Sequence, residues 1–237
     1  ADLKNSIVSH AKHVGYTPVS ATSGSASVTI TFNSATASSL TVDKGTAFTS
    51  SVDDVSYQFI IRDAKTVTPV DGVYTLNCDL REGTLVTNKY TVDTTDANQR
   101  FLIENDLVDT ATLAVTVQNS SSDSTTNTYT LASDLGAVTS TSKIYYLEQV
   151  EQGKYEVIFG DDVLGAALAN GNIVTLEYIV STGPASNGAT TFTASGNVGG
   201  ESDITIVTNS NSSGGSDPET VESIRFNAPK QFSAQNR

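Results

Sequence analysis

His10 and His13 are the two histidines of this chain, and their spacing is its nearest approach to a metal site. They lie three apart in a stretch whose apolar residues (Leu3, Ile7, Val8, Ala11, Val14) follow a helical period, so one helix face could offer two nitrogen ligands. No cysteine, third histidine or carboxylate pairs with them in the sequence, and the expectation is a solvent-facing pair. A Ser-His-Asp triad needs an oriented histidine beside its nucleophile, and no Gly-x-Ser-x-Gly elbow occurs here. Gly199-Gly200 and Gly214-Gly215 lack the lysine and the strand–helix frame of a phosphate cradle and read as flexible turns.

Asp53-Asp54, Asp161-Asp162 and the pair Asp93 and Asp96 supply the carboxylate oxygens that calcium favours. They show neither an EF-hand spacing nor a Gly/Asp repeat, and turns at strand ends account for them. A glycosidase needs two carboxylates at a sugar-binding cleft. With no tryptophan and 7% aromatic residues, a sugar platform is poorly supplied. Cys78, the single cysteine, follows Tyr74-Thr75-Leu76-Asn77 in a strand-like run and reads as a small buried residue. The residues therefore predict no catalytic, cofactor-binding or metal position, no cofactor, no small-molecule substrate and no enzyme.

The elements that would position such groups are strands. Hydrophobic residues make up 38% of the 237 and charged ones 16%. That is too apolar and too regularly patterned for disorder, and it suits a β protein with polar, uncharged outer faces. The net charge of −13 argues against nucleic acid, whose phosphates demand a basic surface, and against an anionic membrane. No run reaches the ~18 apolar residues of a spanning helix, and residues 1–20 carry no signal-peptide core.

Along the chain, 3–14 predicts a helix stopped at Gly15. From Ala26 the period becomes two: Val28, Ile30 and Phe32 alternate with Thr29 and Thr31. Leu40 and Val42, Phe48, Val55–Ile61 and Val73–Leu80 continue as strands, with turns at Asp53-Asp54 and Asp71-Gly72. Further strands are expected at 84–92, 100–103, 112–118 and from Tyr129, with 119–127 an exposed hairpin tip. Lys143–Val150 and Lys154–Phe159 predict a hairpin. Asp161 would cap one or two helical turns over Val163–Leu168, and Ile173–Val180 reads as a buried strand. Asn209–Ser216 is a linker by composition. Ser216-Asp217-Pro218-Glu219 opens a helix expected to stop before Pro229. The fold class is mostly β, with two or three small antiparallel β modules and short helices at both ends. The expected division is 1–20 as a helical lead-in, 21–80 and 81–185 as two β modules, 186–215 as Gly/Ser/Asn-rich strands and linker, and 216–237 as the start of a following module.

One block is distinctive: Tyr155-Glu156-Val157-Ile158-Phe159-Gly160-Asp161-Asp162-Val163-Leu164-Gly165, then Leu168-Ala169-Asn170-Gly171-Asn172-Ile173-Val174, Glu177-Tyr178 and Gly183-Pro184-Ala185-Ser186-Asn187-Gly188-Ala189. It resembles the signature of baseplate wedge subunits from T4-like contractile-tailed phages, in the baseplate J-like group. Gly15-Tyr16-Thr17-Pro18, Lys44-Gly45-Thr46-Ala47-Phe48, Glu82-Gly83-Thr84, Phe101-Leu102-Ile103, Glu222–Pro229 and Gln235-Asn236-Arg237 match in order along the chain. Family members carry more chain on both sides, so the sequence resembles a central fragment.

The resemblance implies an architectural role in the virion tail baseplate, assembled in the host cytoplasm. The implied partners are other baseplate wedge proteins, with a homo-oligomeric dimer in a ring around the hub. That ring rearranges on host attachment to trigger sheath contraction, and the Gly/Ser/Asn stretches would act as hinges. The alternative is an acidic, calcium-dependent bacterial surface adhesin of stacked β domains. The helical start and the Pro229 segment fit it poorly.

Overall fold

The structure is a computed structural model and describes residues 3–132 and 135–235. The chain forms two compact units, neither built from one continuous stretch. One takes Ala1–Ser20, Val86–Tyr178 and Pro218–Arg237; the other takes Ala21–Leu85 and Ile179–Asp217.

The second unit is a six-stranded antiparallel sheet. Its strands are β1 (Ser25–Phe32), β3 (Ala47–Val52), β4 (Val55–Ile61), β6 (Tyr74–Glu82), β14 (Thr193–Ala194) and β15 (Ile204–Ser213). They run in the order β14-β3-β4-β6-β1-β15, and the short pair β2 (Leu40–Val42) and β5 (Lys65–Val67) forms a separate two-stranded sheet. The alternation in β1 sends Ala26, Val28, Ile30 and Phe32 inward, all buried. They join Phe48, Phe59, Leu80 and Phe192 in one core, where Phe59 and Phe192 meet edge to face with centroids 4.9 Å apart. Cys78 is buried in β6 and packs in that core, as its surroundings in sequence predict.

Val52 and Val55 close the β3–β4 hairpin across Asp53 (φ 48°) and Asp54 (φ 64°). Two successive left-handed residues form the mirror-image turn whose twist matches the strands, and aspartate tolerates that backbone because its short side chain bonds locally. Glycine is better still at the second position. Asp54→Gly should therefore raise stability by about 0.5–1 kcal/mol, read as a higher denaturant midpoint with an unchanged slope; a lower midpoint would contradict the turn assignment.

Composition misleads at 209–216. Residues 209–213 continue β15, where Ser210 pairs with Ser27 and Ser213 with Ser25 past two register shifts, and Ser212 is buried. Gly24 packs so closely here that a Cβ on it would stand 2.6 Å from the Ser212 hydroxyl and 2.7 Å from that of Ser186. A hinge through this stretch would have to break the β1–β15 ladder.

The first unit carries a seven-stranded sheet in the order β7-β13-β9-β10-β11-β12-β8. The strands are β7 (Thr84–Thr91), β8 (Phe101–Ile103), β9 (Val108–Gln118), β10 (Thr126–Leu131), β11 (Ile144–Gln149), β12 (Tyr155–Phe159) and β13 (Ile173–Val180). The predicted hairpin is present, with Tyr145 opposite Phe159 and a 3₁₀ turn at Glu151–Gly153 between β11 and β12. One contact departs from the antiparallel expectation: β10 and β11 pair in parallel at Thr130–Ile144 and Leu131–Tyr145. Phe101, Phe159 and Tyr129 stack edge to face in sequence.

Both ends are helical. The first helix, α1 (Leu3–His13), stops as predicted: the Tyr16 amide donates to the Ala11 carbonyl and the Gly15 amide to Lys12. The last, α2 (Val221–Gln235), corrects two expectations. It starts after Glu219, with Thr220 Oγ1 accepting the Ser223 amide as the cap. It also continues through Pro229. Proline removes one intrahelical donor and crowds the carbonyl four residues back, and Ile224 and Ala228, in the turns that precede it, pack against Val8 and Ala11 of α1 and hold the helix there. Asn236 and Arg237, part of the matching C-terminal segment, lie outside the described residues.

Candidate functional site

The aspartates that could do chemistry are taken up in turns and caps. His10 and His13 are exposed on α1. Asp93 accepts the Thr95 amide and hydroxyl, at 2.9 and 2.6 Å. Asp96 accepts the Asn98 amide. Asp161 accepts the amides of Val163 (3.0 Å) and Leu164 (2.9 Å), and these bonds hold its carboxyl below the usual range. Asp162, at φ 64°, accepts the Ala167 amide. The capping role foreseen for Asp161 is present, but no helix follows: Val163 and Leu164 sit on an open loop, 70% and 48% exposed. The loop closes on itself through these two carboxylates, and nothing packs on Val163 to drive a helix. Burial pushes the Cys78 thiol up to about 11, which leaves it protonated and unreactive at neutral pH. Among the described residues no three histidine, cysteine, aspartate or glutamate side chains gather as a metal would require.

One cleft of the first unit has a volume of about 430 Å³ and is bordered by Lys12 and Ser9 of α1, Arg100, Gln149 and Lys154. Three cations around one cleft would ordinarily recruit an anion. Each already has a carboxylate: Lys12 pairs with Glu148, Lys154 with Glu104 at 2.5 Å, and Arg100 grips Glu156 through Nε–Oε1 (2.9 Å) and Nη2–Oε2 (2.6 Å). The Glu156 carboxylate raises the Arg100 pKa in turn. The pairs cross from α1 to β11 and between β8 and β12, so they fasten elements together and leave little net field for a ligand.

The densest polar centre is Glu219. Its carboxylate accepts the Tyr16 hydroxyl (2.8 Å), the Val19 amide (3.1 Å), the Ser223 hydroxyl (2.6 Å) and the Asn227 amide (3.0 Å). Partial burial acts to raise its pKa, but the bonds from Ser223, Asn227, Val19 and Tyr16 outweigh it and hold the group below its ordinary value. Tyr16 moves the opposite way, raised first by burial and then by Glu219. The buried Tyr155 hydroxyl completes the junction by donating to the Pro18 carbonyl at 3.0 Å. The sequence placed Glu219 at the opening of the last helix; its real work is to bind residues 16–19 to α2, some 200 positions away, and no local pattern could reveal that.

The sign of the shift fixes the pH response. A carboxyl depressed in the folded state stabilises above its unfolded pKa, and that contribution disappears as pH falls through the folded value. Glu219→Gln should cost about 1–2 kcal/mol at neutral pH. The gap to the native chain should narrow between about pH 5 and pH 3. Melting curves across that range test this; a pH-independent gap would show that the charge on Glu219 contributes nothing.

No model of a known protein family matches the chain. Among curated proteins it is similar to Baseplate wedge protein gp6 of Enterobacteria phage T4, with 25% identity over 252 residues, covering 95% of this chain and 37% of the relative. The chain thus spans little more than a third of that relative's length. The similarity bears out the resemblance to baseplate wedge subunits, and like that resemblance it covers nearly the whole chain. Among solved structures the chain is similar to a component of the anti-feeding prophage baseplate, a six-fold symmetrised cryo-EM structure. The match covers 97% of this chain and 42% of that one at 12% identity, with a TM-score of 0.35, too loose to establish a shared fold.

Proposed function

We propose that this chain is a structural part of a contractile tail baseplate, located in the virion. Its partners are other baseplate wedge proteins, with which it builds the ring around the hub, and that ring rearranges on host attachment to trigger sheath contraction. The observation that carries this reading is the similarity to the wedge protein of phage T4 along 95% of the chain. The structure is consistent with a load-transmitting part. Asp93, Asp161 and Asp162 are taken up in turns and caps, Glu104, Glu148 and Glu156 in ion pairs, and its ends are fastened by Glu219 and the α1–α2 contact. Such a component acts by holding geometry and passing force, and it turns over no substrate.

The test is made on particles. Virions with a small epitope inserted at the exposed tip 119–127 should show antibody density at the baseplate by cryo-electron microscopy. Particles made without the protein should lack an organised baseplate. Label elsewhere on the particle, or intact baseplates without the protein, would overturn the proposal.

A further inference from the structure

One edge of the six-stranded sheet is built to take another strand. The Asn33 amide donates to the Asp203 carbonyl at 2.9 Å, in the same register that pairs Thr31 with Thr205 and Thr29 with Val207. Hydrogen-bonded and non-hydrogen-bonded pairs alternate along an antiparallel ladder. The N–H and C=O groups of Ile204, Ile206 and Thr208 therefore point away from β1. They have no partner among the described residues, since β15 is the last strand of its sheet.

Edges of this length are normally blunted by charge, proline or a covering element. Over Ile204–Ser213 β15 has no charged residue and no proline. The sheet also curls. Phe192, Thr193 and Ala194, at and beside β14 on its opposite edge, line one groove of about 420 Å³ together with Ile204 and Ile206. The groove is continuous with the unit's core, against which Ala194, Ile204 and Ile206 pack.

We propose that this gap between β14 and β15 receives an extended segment of another protein, which adds a strand to β15. Main-chain bonds to Ile204, Ile206 and Thr208 would supply affinity, and alternate apolar side chains of the guest would enter the groove beside Phe192 and Ala194. Charge selects the guest. Glu201 and Asp203 stand at the start of β15 without a cationic partner among the described residues; Asp203 accepts only the neutral Asn33 amide. A second copy, with a net charge of −13, would bring like charge to like. The guest is an alternating apolar–polar segment with a lysine or arginine at the end that meets Glu201 and Asp203. The proposal does not depend on the baseplate reading, and it holds or fails on the isolated protein.

Two synthetic probes test it: an amidated seven-residue peptide alternating threonine and valine and ending in lysine, and the same peptide ending in glutamate. In amide hydrogen exchange by NMR, the lysine peptide should slow Ile204, Ile206 and Thr208 by about tenfold or more at saturation. It should also bind several times more tightly than the glutamate peptide at low salt. Thr208→Pro removes one outward donor at a position where an edge strand tolerates proline, and should weaken binding roughly fivefold to tenfold. Ala194→Arg, which fills the groove from the other edge, should abolish it. Melting temperatures near the native one show that both variants fold. Absence of protection with either peptide, native affinity in both folded variants, or a peptide-free dimer broken by Thr208→Pro would overturn the proposal.

Discussion

Gly83→Ala should lower stability by roughly 3–5 kcal/mol, enough to threaten folding of the six-stranded unit. Two costs coincide at this residue. Its φ of +120° lies where a side chain is strained. A Cβ there would also stand 2.3 Å from the Val180 carbonyl oxygen and 2.6 Å from Ile179 Cγ2, and a backbone oxygen cannot swing aside. The Gly83 amide meanwhile donates to the Gln58 carbonyl, so the backbone is held from the other side too. Gly45→Ala separates the two causes: φ is +80° there, but the nearest atom is the Leu85 Cδ2 at 3.9 Å. It should cost only about 1 kcal/mol. Denaturant midpoints of the two variants give the comparison, and equal losses would show that the approach of Val180 adds nothing.

The neighbouring residue carries the second large effect. Glu82 is 1% exposed and forms no ion pair among the described residues. Its carboxylate accepts the Ser181 hydroxyl at 2.7 Å, the Thr182 hydroxyl at 2.9 Å and the Thr182 amide at 3.1 Å. Three donors converge from the residues that follow β13, and the Ser181 oxygen in turn accepts the Gly183 amide. Glu82→Ala strands these donors in a closed interior, at a cost of about 3 kcal/mol, or a fall in melting temperature of roughly 6–12 °C for a chain of this size. Glu82→Gln keeps an acceptor and the shape and should lose less than half as much. A Glu82→Ala protein melting within a degree or two of the native one would show that water replaces the carboxylate.

Both predictions rest on a match that the sequence displayed only as the short string Glu82-Gly83-Thr84. The string resembled part of a family pattern, but what makes glutamate and glycine necessary there is the return of Ile179–Thr182, about a hundred residues later. Asp53-Asp54 and Asp161 were legible because their function is local: a turn or a cap is decided within a few positions. The strands of β1 and β6, the hairpin of β11 and β12 and the end of α1 were legible for the same reason.

The misreadings also have physical causes. The serine and asparagine run at 209–213 has the composition of a linker, yet its backbone is claimed by β1, whose ladder tolerates small polar partners. Val163–Leu168 has helical spacing, but two aspartates close its loop first. Pro229 is a helix breaker by local rules, and tertiary contacts of Ile224 and Ala228 outweigh both the donor it removes and the crowding of its ring against the preceding turn.

The amino-acid sequence by itself determined that the protein is mostly β with helical ends, that Asp53-Asp54, Asp93, Asp96 and Asp161-Asp162 belong to turns and caps, and that it resembles a baseplate wedge subunit. Those features depend on periodicity, turn chemistry and residue identity, which neighbours in the chain express. Only the tertiary structure decided that each unit is assembled from separated stretches, that Glu82 and Glu219 are hydrogen-bond centres, and that β15 is left with an open edge. Which strands lie side by side is set by packing between residues far apart in the chain, and no local pattern records it.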